Sequence, residues 1–362
     1  MFMPNAFSKR RKLLQIRMVE RGFGSLLVTH PANWYYLTGF TGESGALVLT
    51  RSSAALITDG RFTVQARQET GGIRVLRQQG ALTDAVGAFL RALAGANVGY
   101  DASRLTVGQF KALRRSAGAR KSWKDASGLV EGLRMRKDAQ ELAQMRRAAF
   151  LASQVVASTA RLLKPGVTEM EMAAEAEYQM RKLGASGPAF ETIVAFGERG
   201  AFPHARPTAK RLRKNELVVL DLGAILGHYC SDITRTFFCG KAPARIRRWY
   251  RAVQEAQEAS VASVRAGATC GEVDAAARRV LAGYRLGDYF VHSTGHGLGL
   301  EVHEAPRLAK GQTWRLEPGN VITIEPGVYV EGVGGIRIED DVAVQEQGKE
   351  VLTRFTRDLI EL

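Results

Sequence analysis

The spacing of apolar positions divides the first third of the chain into short strands and helices. Apolar runs bounded by Gly, Ser or Thr predict strands at residues 25–29, 45–50, 54–58 and 73–77. Apolar residues at helical spacing predict helices at residues 9–21, 82–94 and 107–115. A charged junction, Arg134-Met135-Arg136-Lys137-Asp138, follows these elements. We therefore predict a smaller α/β domain over residues 1–133 and a second domain over residues 134–362.

The second domain contains a repeated pattern of helices and capping signals. A long helical pattern ends at Pro165-Gly166, and the segment from Gly166 to Glu171 recurs from Gly267 to Glu272. Each copy places Thr three residues before Glu, which is the signature of a helix capping box. Each copy is followed by a His-x-x-Pro motif and then by a hairpin pattern with two acids. We predict two pseudo-symmetric halves in an α+β fold, with helices covering one face of an antiparallel sheet.

The first of these predicted hairpins places two acids close together. Asp221 interrupts an apolar strand pattern that disfavours Asp, and Asp232 follows eleven residues later. A turn at Leu226-Gly227 would pair residue 225 with 228 and residue 221 with 232. Like charges directly opposite each other destabilise a sheet, so this pairing favours a compensating cation.

The second predicted hairpin repeats the arrangement near the end of the chain. A loop at Glu331-Gly332-Val333 would pair residue 330 with 334, and therefore Glu325 with Glu339. Between the hairpins lies His296, whose two glycine neighbours let another group approach the backbone closely. Each residue alone fits a hydrogen-bonded core position, but four carboxylates and an imidazole together suit two divalent cations. Two metal ions about 3.5–4 Å apart are a known hydrolytic arrangement.

Composition places the chain among globular proteins. It has 362 residues, 45% of them hydrophobic, and no apolar run long enough to span a membrane. The net charge of +15 permits nucleic-acid binding, but we favour a solvated basic surface, with residues 206–214 as the best candidate for a specific role. The three cysteines lack zinc-site or redox spacing, which predicts free thiols in a reducing, cytoplasmic compartment.

The order and spacing of five residues resemble the metal ligands of the pita-bread metallopeptidases, which include methionine aminopeptidase, prolidase and aminopeptidase P. These residues are Asp221, Asp232, His296, Glu325 and Glu339. The interval of fourteen residues between the two glutamates resembles the proline-specific branch. Creatinase shares the two-domain architecture but lacks the metal ligands. Residues 33–40 and 57–62 look like the creatinase-type N-terminal domain, so the resemblance implies that domain, a pita-bread catalytic domain and a homodimer.

The resemblance also implies two divalent metal ions. Mn(II) is expected, and Co(II) or Zn(II) would fit the same ligands. Asp221 would hold one ion, Asp232 and Glu339 would bridge both, and His296 with Glu325 would complete the second site. Glu325 would in addition be the general base and later the general acid.

Further residues receive roles from the same resemblance. His303, and after it His292, would stabilise the oxyanion. His204 matches a substrate-binding histidine of the proline-specific branch. Arg337 matches an arginine that orients the bridging acid. Arg307 resembles an arginine of prolidases that faces the free carboxylate of a dipeptide, where a guanidinium would pair bidentately.

Together these features predict a metal-dependent exopeptidase that removes one residue ahead of proline. Its substrates would be proline-containing di- or oligopeptides, with Arg307 favouring Xaa-Pro dipeptides. An aminopeptidase P acting on longer peptides is the main alternative. Removal of N-terminal methionine is disfavoured by the short interval between the glutamates and by the N-terminal domain. A non-catalytic peptide-binding or nucleic-acid-binding member is disfavoured because such proteins typically lose metal ligands.

Overall fold

A computed structural model describes residues 4–362 of the chain. The chain forms two compact units, Met1–Arg134 and Met135–Leu362. Each unit has buried apolar clusters of its own, around Leu27 and Val48 in the first and around Val218 and Ile322 in the second. Separate cores are what is expected of separate domains. Within residues 4–362, no helix combines the length and the apolar character needed to cross a membrane.

The first unit is built on a mixed sheet. Its strands are β1 (Ser25–Val28), β2 (Ala46–Thr50), β3 (Ala54–Thr58), β4 (Arg74–Arg77), β5 (Asn97–Tyr100) and β6 (Ser122–Asp125). Its helices are α1 (Pro4–Glu20), α2 (Pro31–Thr38), α3 (Thr63–Glu69), α4 (Leu82–Ala92), α5 (Val107–Ala117) and α6 (Glu131–Arg134). The sheet order is β4-β3-β2-β1-β5-β6. All four predicted strands and all three predicted helices of this region are confirmed.

The second unit is α+β, as predicted. Its helices are α7 (Ala139–Ala160), α8 (Glu169–Lys182), α9 (Ala244–Ser263) and α10 (Cys270–Gly283), with short 3-10 turns at Gly197–Ala201 and Gly287–Tyr289. Its strands are β7 (Gly187–Pro188), β8 (Ile193–Phe196), β9 (Glu216–Leu222), β10 (Ala224–Leu226), β11 (Tyr229–Cys230), β12 (Ile233–Cys239), β13 (Gly295–Gly297), β14 (Glu304–Leu308), β15 (Val321–Ile324), β16 (Gly327–Val330), β17 (Gly334–Arg337), β18 (Asp340–Val344), β19 (Lys349–Val351) and β20 (Ile360–Glu361). The two largest sheets have the orders β20-β12-β9-β8 and β14-β13-β15-β18-β19.

The repeated helix starts predicted from the sequence are confirmed. The Thr168 hydroxyl accepts the N–H of Glu171 at 3.1 Å, and the Glu171 carboxylate accepts the N–H of Thr168 at 2.7 Å. Thr269 and Glu272 form the same reciprocal pair, with distances of 3.1 and 2.7 Å. These boxes satisfy amide groups that the first turns of α8 and α10 leave unpaired. One helix of each predicted half therefore begins in the same way.

The first acidic hairpin turns at a different place from the one predicted. Leu226 pairs with Tyr229 across a two-residue turn made of Gly227 and His228, so the predicted pairing of residue 225 with His228 is wrong. Gly227 has φ 55° and His228 has φ 73°. A type I′ turn requires positive φ at both central residues, and it suits the twist of a two-residue hairpin. The turn therefore uses the glycine as its first central residue.

This shift changes the direct partner of Asp221. Asp221 pairs with Thr234 across β9 and β12, so the predicted direct pairing with Asp232 is also wrong. The register is displaced by two residues, and an even displacement leaves each side chain on its predicted face. Asp221 and Asp232 consequently still meet in one cavity.

The second acidic hairpin has the predicted register. Val330 pairs with Gly334, as expected from the Glu331-Gly332-Val333 loop. The same register continues in the neighbouring sheet, where Ile324 pairs with Asp340. Glu325 and Glu339 lie in the short gap between these two paired segments, so each glutamate faces the other across the hairpin.

Candidate metal centre

A cavity of about 610 Å³ opens in the second unit. Its lining includes all ten residues that the sequence predicts as metal ligands, catalytic groups or substrate contacts: His204, Asp221, Asp232, His292, His296, His303, Arg307, Glu325, Arg337 and Glu339. The other lining residues are Phe190, Glu191, Ile193, Pro203, Ala205, Arg206, Ser293 and Glu304. The fold therefore gathers every predicted site residue around one space, while the role of each stays a prediction.

Three of these residues form a compact group of possible ligand atoms. Asp232, His296 and Glu339 each offer one atom, and these atoms lie within 4.8 Å of one another. Nε2 of His296 also lies 3.3 Å from Oε1 of Glu325. Oδ1 of Asp221, Oδ1 of Asp232 and Oε1 of Glu339 are buried without a hydrogen-bond partner among residues 4–362. Because an unsatisfied buried oxygen is costly, these atoms fit the ligands of a cation.

His296 is placed by a strand that packs very closely against its neighbours. A Cβ added to Gly295 would lie less than 3.0 Å from the backbone of Thr323, and one added to Gly297 would lie as close to the backbone of β14. The predicted close approach at these glycines is confirmed, and the approaching group is protein backbone. The Thr323 hydroxyl accepts the N–H of His296 at 3.1 Å and donates to Oε1 of Glu325 at 3.2 Å.

Arg337 connects the acids of the two hairpins. Its Nη2 forms an ion pair with Oδ2 of Asp221, and its Nε donates to the Thr234 hydroxyl at 3.0 Å. That hydroxyl donates to Oε2 of Glu339 at 2.5 Å. A guanidinium presents its donors in a rigid plane, so these contacts fix the orientation of both acids. The direct acidic partner of Arg337 is therefore Asp221, and it reaches Glu339 through Thr234, so its role of orienting the bridging acid stays a prediction.

Tyr329 determines the hydrogen bonding of His292. Its hydroxyl lies 2.6 Å from Nη1 of Arg337 and 2.8 Å from Nε2 of His292. Because Arg337 can only donate, Tyr329 accepts from it and donates its own proton to Nε2. Nδ1 of His292 then carries the remaining proton and donates to the Ser293 carbonyl at 2.8 Å. Both ring nitrogens of His292 are therefore already engaged.

The remaining predicted residues lie on the cavity walls. The rings of His303 and His296 have centroids 4.5 Å apart. Arg307 is the cross-strand partner of His296 in β13 and β14. The side chains of His204, His303 and Arg307 form no hydrogen bond or ion pair within the described part of the chain. These three groups are consequently available to a ligand in the cavity.

Comparison with known families accounts for both units of the chain. Residues 143–346 match the family described as Metallopeptidase family M24, and residues 10–136 match the Creatinase/Prolidase N-terminal domain. The chain belongs to metallopeptidase family M24. It is therefore a metallopeptidase, and the predicted pita-bread catalytic domain with a creatinase-type N-terminal domain is confirmed.

Individual relatives of this metallopeptidase match along almost their whole length. A Xaa-Pro dipeptidase of Pyrococcus horikoshii is 35% identical, over 97% of this chain and 98% of the relative. The structure of a Xaa-Pro dipeptidase from Bacillus anthracis has a TM-score of 0.95 at 36% identity, covering 98% of this chain and 100% of that one. An X-Pro aminopeptidase from Thermotoga maritima MSB8 has a TM-score of 0.88 at 35% identity, covering 95% and 99%.

The acids of the candidate metal centre disfavour each other's ionisation. Burial, with the Asp221 charge adding to it, raises the pKa of Glu325 to about 8. Burial and the neighbouring Glu339 raise the pKa of Asp232 well above its ordinary value, and burial together with Glu325 does the same to the pKa of Glu339. A divalent cation bound among these acids would offset the repulsion and favour the deprotonated carboxylates, which are the forms that bind metal. The oxygen-rich set with one imidazole fits hard-to-borderline divalent ions.

We predict that added divalent metal stabilises the protein more at pH 8 than at pH 6.5. The pKa of Glu325 is about 8 in the fold against an ordinary 4.5, so the metal-free fold retains a proton that the unfolded chain has lost. Its stability therefore falls as pH rises through this window. Burial lowers the pKa of His296 to about 4 from 6.5, which affects stability only below pH 6.5.

Thermal unfolding with and without metal at pH 6.5, 7.25 and 8 would check this prediction. The difference in Tm should grow steadily with pH. The variant Glu325→Gln has no proton to lose at this position and should show a flatter dependence. A metal-induced shift in Tm that stays constant across the window would contradict the assignment of these acids as ligands.

The sequence reasoning missed four side chains that position the centre. Thr234 and Asp341 lie two residues after an acid of the centre, Thr323 lies two residues before one, and Tyr329 lies four residues after one. Asp341 accepts the N–H of Asp232 at 3.1 Å. Side chains at even spacing on a strand share a face. This alternation was the signal that could have identified these residues.

Proposed function

We propose that this protein is a dinuclear metallopeptidase that hydrolyses Xaa-Pro dipeptides. The similarity to two Xaa-Pro dipeptidases supports the proposal, and so does the gathering of the predicted residues around one cavity. Asp221 would contact one ion, Asp232 and Glu339 both, and His296 with Glu325 the other. When bound, divalent cations supply Lewis-acid polarisation of the scissile carbonyl and a water nucleophile at neutral pH.

The position of Arg307 is the observation that favours a dipeptide substrate. Its strand position is directly across from His296, and its exposed side chain lines the cavity without a partner among residues 4–362. A dipeptide with its scissile bond above the acids has its carboxylate only one residue further on. A guanidinium pairs bidentately with a carboxylate, which rewards a substrate that ends at proline.

Glu325 is the proposed carrier of the proton. The Thr323 hydroxyl holds Oε1 of this carboxylate at 3.2 Å, so the carboxylate has a fixed orientation towards the cavity. It would accept a proton from the attacking water and later deliver it to the prolyl nitrogen. This delivery is necessary because the nitrogen of an Xaa-Pro bond has no hydrogen of its own.

His303 is the proposed donor to the oxyanion. Its ring makes no hydrogen bond within the described residues, whereas both nitrogens of His292 are engaged by Ser293 and Tyr329. Burial lowers the pKa of His303, which keeps the ring neutral with one N–H to donate at neutral pH. His292 would act indirectly, through its contacts in the cavity wall, and His204, which also lines the cavity, would contact the substrate.

An aminopeptidase acting on longer peptides is the second candidate. The similarity to an X-Pro aminopeptidase from Thermotoga maritima MSB8, which also extends over nearly the whole chain, supports it. The longer substrate of such an enzyme has a peptide bond after its proline, at the place where a dipeptide has its free carboxylate. The two candidates therefore differ in what Arg307 faces.

We predict that Arg307→Ala raises KM for Xaa-Pro dipeptides about 10- to 100-fold, because a hydrogen-bonded charge pair is worth about 1.5–3 kcal/mol. KM for Xaa-Pro tripeptides should change little, since their proline carries no free carboxylate. Steady-state kinetics of the metal-loaded enzyme on matched peptides would measure both. Arg279→Ala removes an exposed arginine of α10 and is the control for loss of charge. Equal effects on both substrates, with tripeptides preferred by the unmodified enzyme, would favour the aminopeptidase.

We further propose Mn(II) as the metal, with Co(II) and Zn(II) able to use the same ligands, and a homodimeric assembly. Both proposals rest on the family resemblance. Cys230, Cys239 and Cys270 are buried and form no disulfide among residues 4–362, which supports the proposal of a reducing, cytoplasmic location.

The contacts of the basic cluster at residues 206–214 favour a solvated surface over a nucleic-acid-binding site. Lys210 lies 3.3 Å from the carboxylate of Glu216, and Nη1 of Arg211 donates to the carbonyl of Gly166 at 2.6 Å. These cations make local contacts that hold the loop to its own unit. We therefore propose that nucleic acid is not a partner.

A further inference from the structure

The cavity wall from the first half of the catalytic unit contains an ion pair that the proposed chemistry does not use. Nε of Arg206 lies 3.1 Å from Oε2 of Glu191. Both side chains line the cavity, and they are 82% and 60% exposed. An ion pair this exposed is weak, so a charged group entering the cavity can exchange with either partner.

The backbone that presents Arg206 is held firmly despite this exposure. Nη2 of Arg199 donates to the carbonyl oxygen of Arg206 at 2.6 Å. Nε of Arg199 in turn contacts both oxygens of Glu169, a fully buried carboxylate, at 3.1 and 3.0 Å. Glu169 also accepts the N–H and the hydroxyl of Thr208, at 2.9 and 2.6 Å. The backbone of Arg206 is therefore already ordered before a ligand arrives, which lowers the entropic cost of binding.

The outer part of the Arg206 guanidinium is available to such a ligand. The shortest contact with Glu191 uses Nε, at the side of the group. Among residues 4–362, neither Nη1 nor Nη2 of Arg206 donates a hydrogen bond. A guanidinium carries five N–H donors in a planar fork, so the N–H groups of the outer edge can donate to a second carboxylate.

The charged side chains of the cavity lining indicate which part of a dipeptide meets this pair. Outside the ten residues with predicted roles, the charged lining residues are Glu191, Arg206 and Glu304. The Glu304 side chain is only 6% exposed and lies 3.1 Å from Nζ of Lys137, so it is already engaged. With the proline carboxylate on Arg307, the pair of Glu191 and Arg206 is the exposed charge that is left for the side chain of Xaa. This step rests on the proposed dipeptidase function.

We propose that Glu191 and Arg206 form a charge-selective subsite for the side chain of Xaa. Arg206 attracts an acidic Xaa side chain, and Glu191 attracts a basic one. While both charges are present they oppose each other, so the unmodified enzyme accepts both kinds of dipeptide. Removal of one charge leaves the other to select its counter-charge.

The test compares kcat/KM for Glu-Pro, Lys-Pro and Ala-Pro in the metal-loaded enzyme. Glu191→Gln should raise the ratio of Glu-Pro to Lys-Pro about three- to fivefold, and Arg206→Gln should lower it by a similar factor. The double variant should return to the ratio of the unmodified enzyme, and high salt should reduce all these effects. Glu258→Gln and Arg279→Gln make the same charge changes at exposed helix positions and should leave the ratio unchanged.

An unchanged ratio in both single variants would overturn the proposal. An equal loss for all three dipeptides in Arg206→Gln would also overturn it, since Arg206 would then bind a part common to every substrate. If the unmodified enzyme hydrolyses none of the dipeptides, the proposed function fails instead. Calorimetric affinities of Glu-Pro and Lys-Pro for the same variants would then test the subsite without turnover.

Discussion

Substitution of Asp232→Asn or Glu339→Gln should abolish peptidase activity and lower the content of bound metal. Each acid has a buried oxygen without a partner among residues 4–362, and each belongs to the compact group around His296. Loss of a residue that merely supports a metal ligand costs about 10–100-fold in metal affinity or activity. We therefore expect loss of a direct ligand to reduce kcat/KM by more than about 100-fold. Elemental analysis and peptide kinetics on the same preparations would measure both effects.

The same substitution should stabilise the metal-free protein. Burial raises the pKa of Asp232 well above its ordinary value, and the acids beside it raise the pKa further. An uncharged Asn at this position removes that repulsion, so metal-free Asp232→Asn should unfold at a higher temperature than the metal-free unmodified protein at pH 8. Loss of activity together with gain of stability distinguishes a lost ligand from a misfolded variant.

Two exposed acids provide matched controls for these variants. Asp288→Asn and Glu346→Gln remove the same charges from exposed positions and should keep both metal and activity. Full activity in either ligand variant would contradict the proposed centre. So would full activity of the unmodified protein after thorough chelation.

Local patterns along the chain were sufficient to predict which acids meet in the cavity. A buried acid in an apolar strand pattern is unfavourable unless another group compensates its charge. Asp221 and Glu325 both interrupt such a pattern, which is why the sequence singles them out. The error in the predicted position of the first turn did not change this result. The pairing of that hairpin is displaced by two residues, which is an even number, so Asp221 and Asp232 still reach the same cavity. The face of a strand residue is thus easier to predict than its partner.

The displaced turn shows why partners are harder to predict. Gly227 and His228 both have positive φ, and histidine rarely takes this conformation. A sequence with one glycine allows two placements of a two-residue turn, because the glycine can be its first or its second central residue. The choice depends on pairing over the whole length of β9 and β12, which is a property of the folded sheet.

Contacts between the two hairpins could not be predicted from either of them. Arg337 pairs with Asp221, which is more than a hundred positions earlier in the chain. Tyr329 joins this arginine to His292 and thereby fixes the tautomer of the ring. Such contacts depend on how distant strands pack. The sequence could therefore predict which residues line the cavity, but not that both ring nitrogens of His292 are engaged by Ser293 and Tyr329.

Gly295→Ala should unfold the catalytic unit at a lower temperature and weaken metal binding. The new Cβ would lie closer to the backbone of Thr323 than real Cβ atoms approach any atom, and backbone cannot move aside as a flexible side chain can. Overpacking of this kind costs about 1–3 kcal/mol. For a unit of this size we expect Tm to fall by about 2–10 °C, measured on the transition that responds to added metal.

The displacement should act on the centre as well as on stability. Thr323 accepts the N–H of His296 and donates to Glu325, so moving its backbone shifts two proposed ligands together. Metal titration should show weaker binding, at temperatures where Gly295→Ala remains folded. Gly283→Ala is the matched control, because a Cβ at this exposed helix end meets nothing within 4 Å. That control should keep full metal affinity and gain about 0.4–1 kcal/mol through a less flexible unfolded chain. If both variants bound metal and melted alike, close packing at Gly295 would have no part in placing His296.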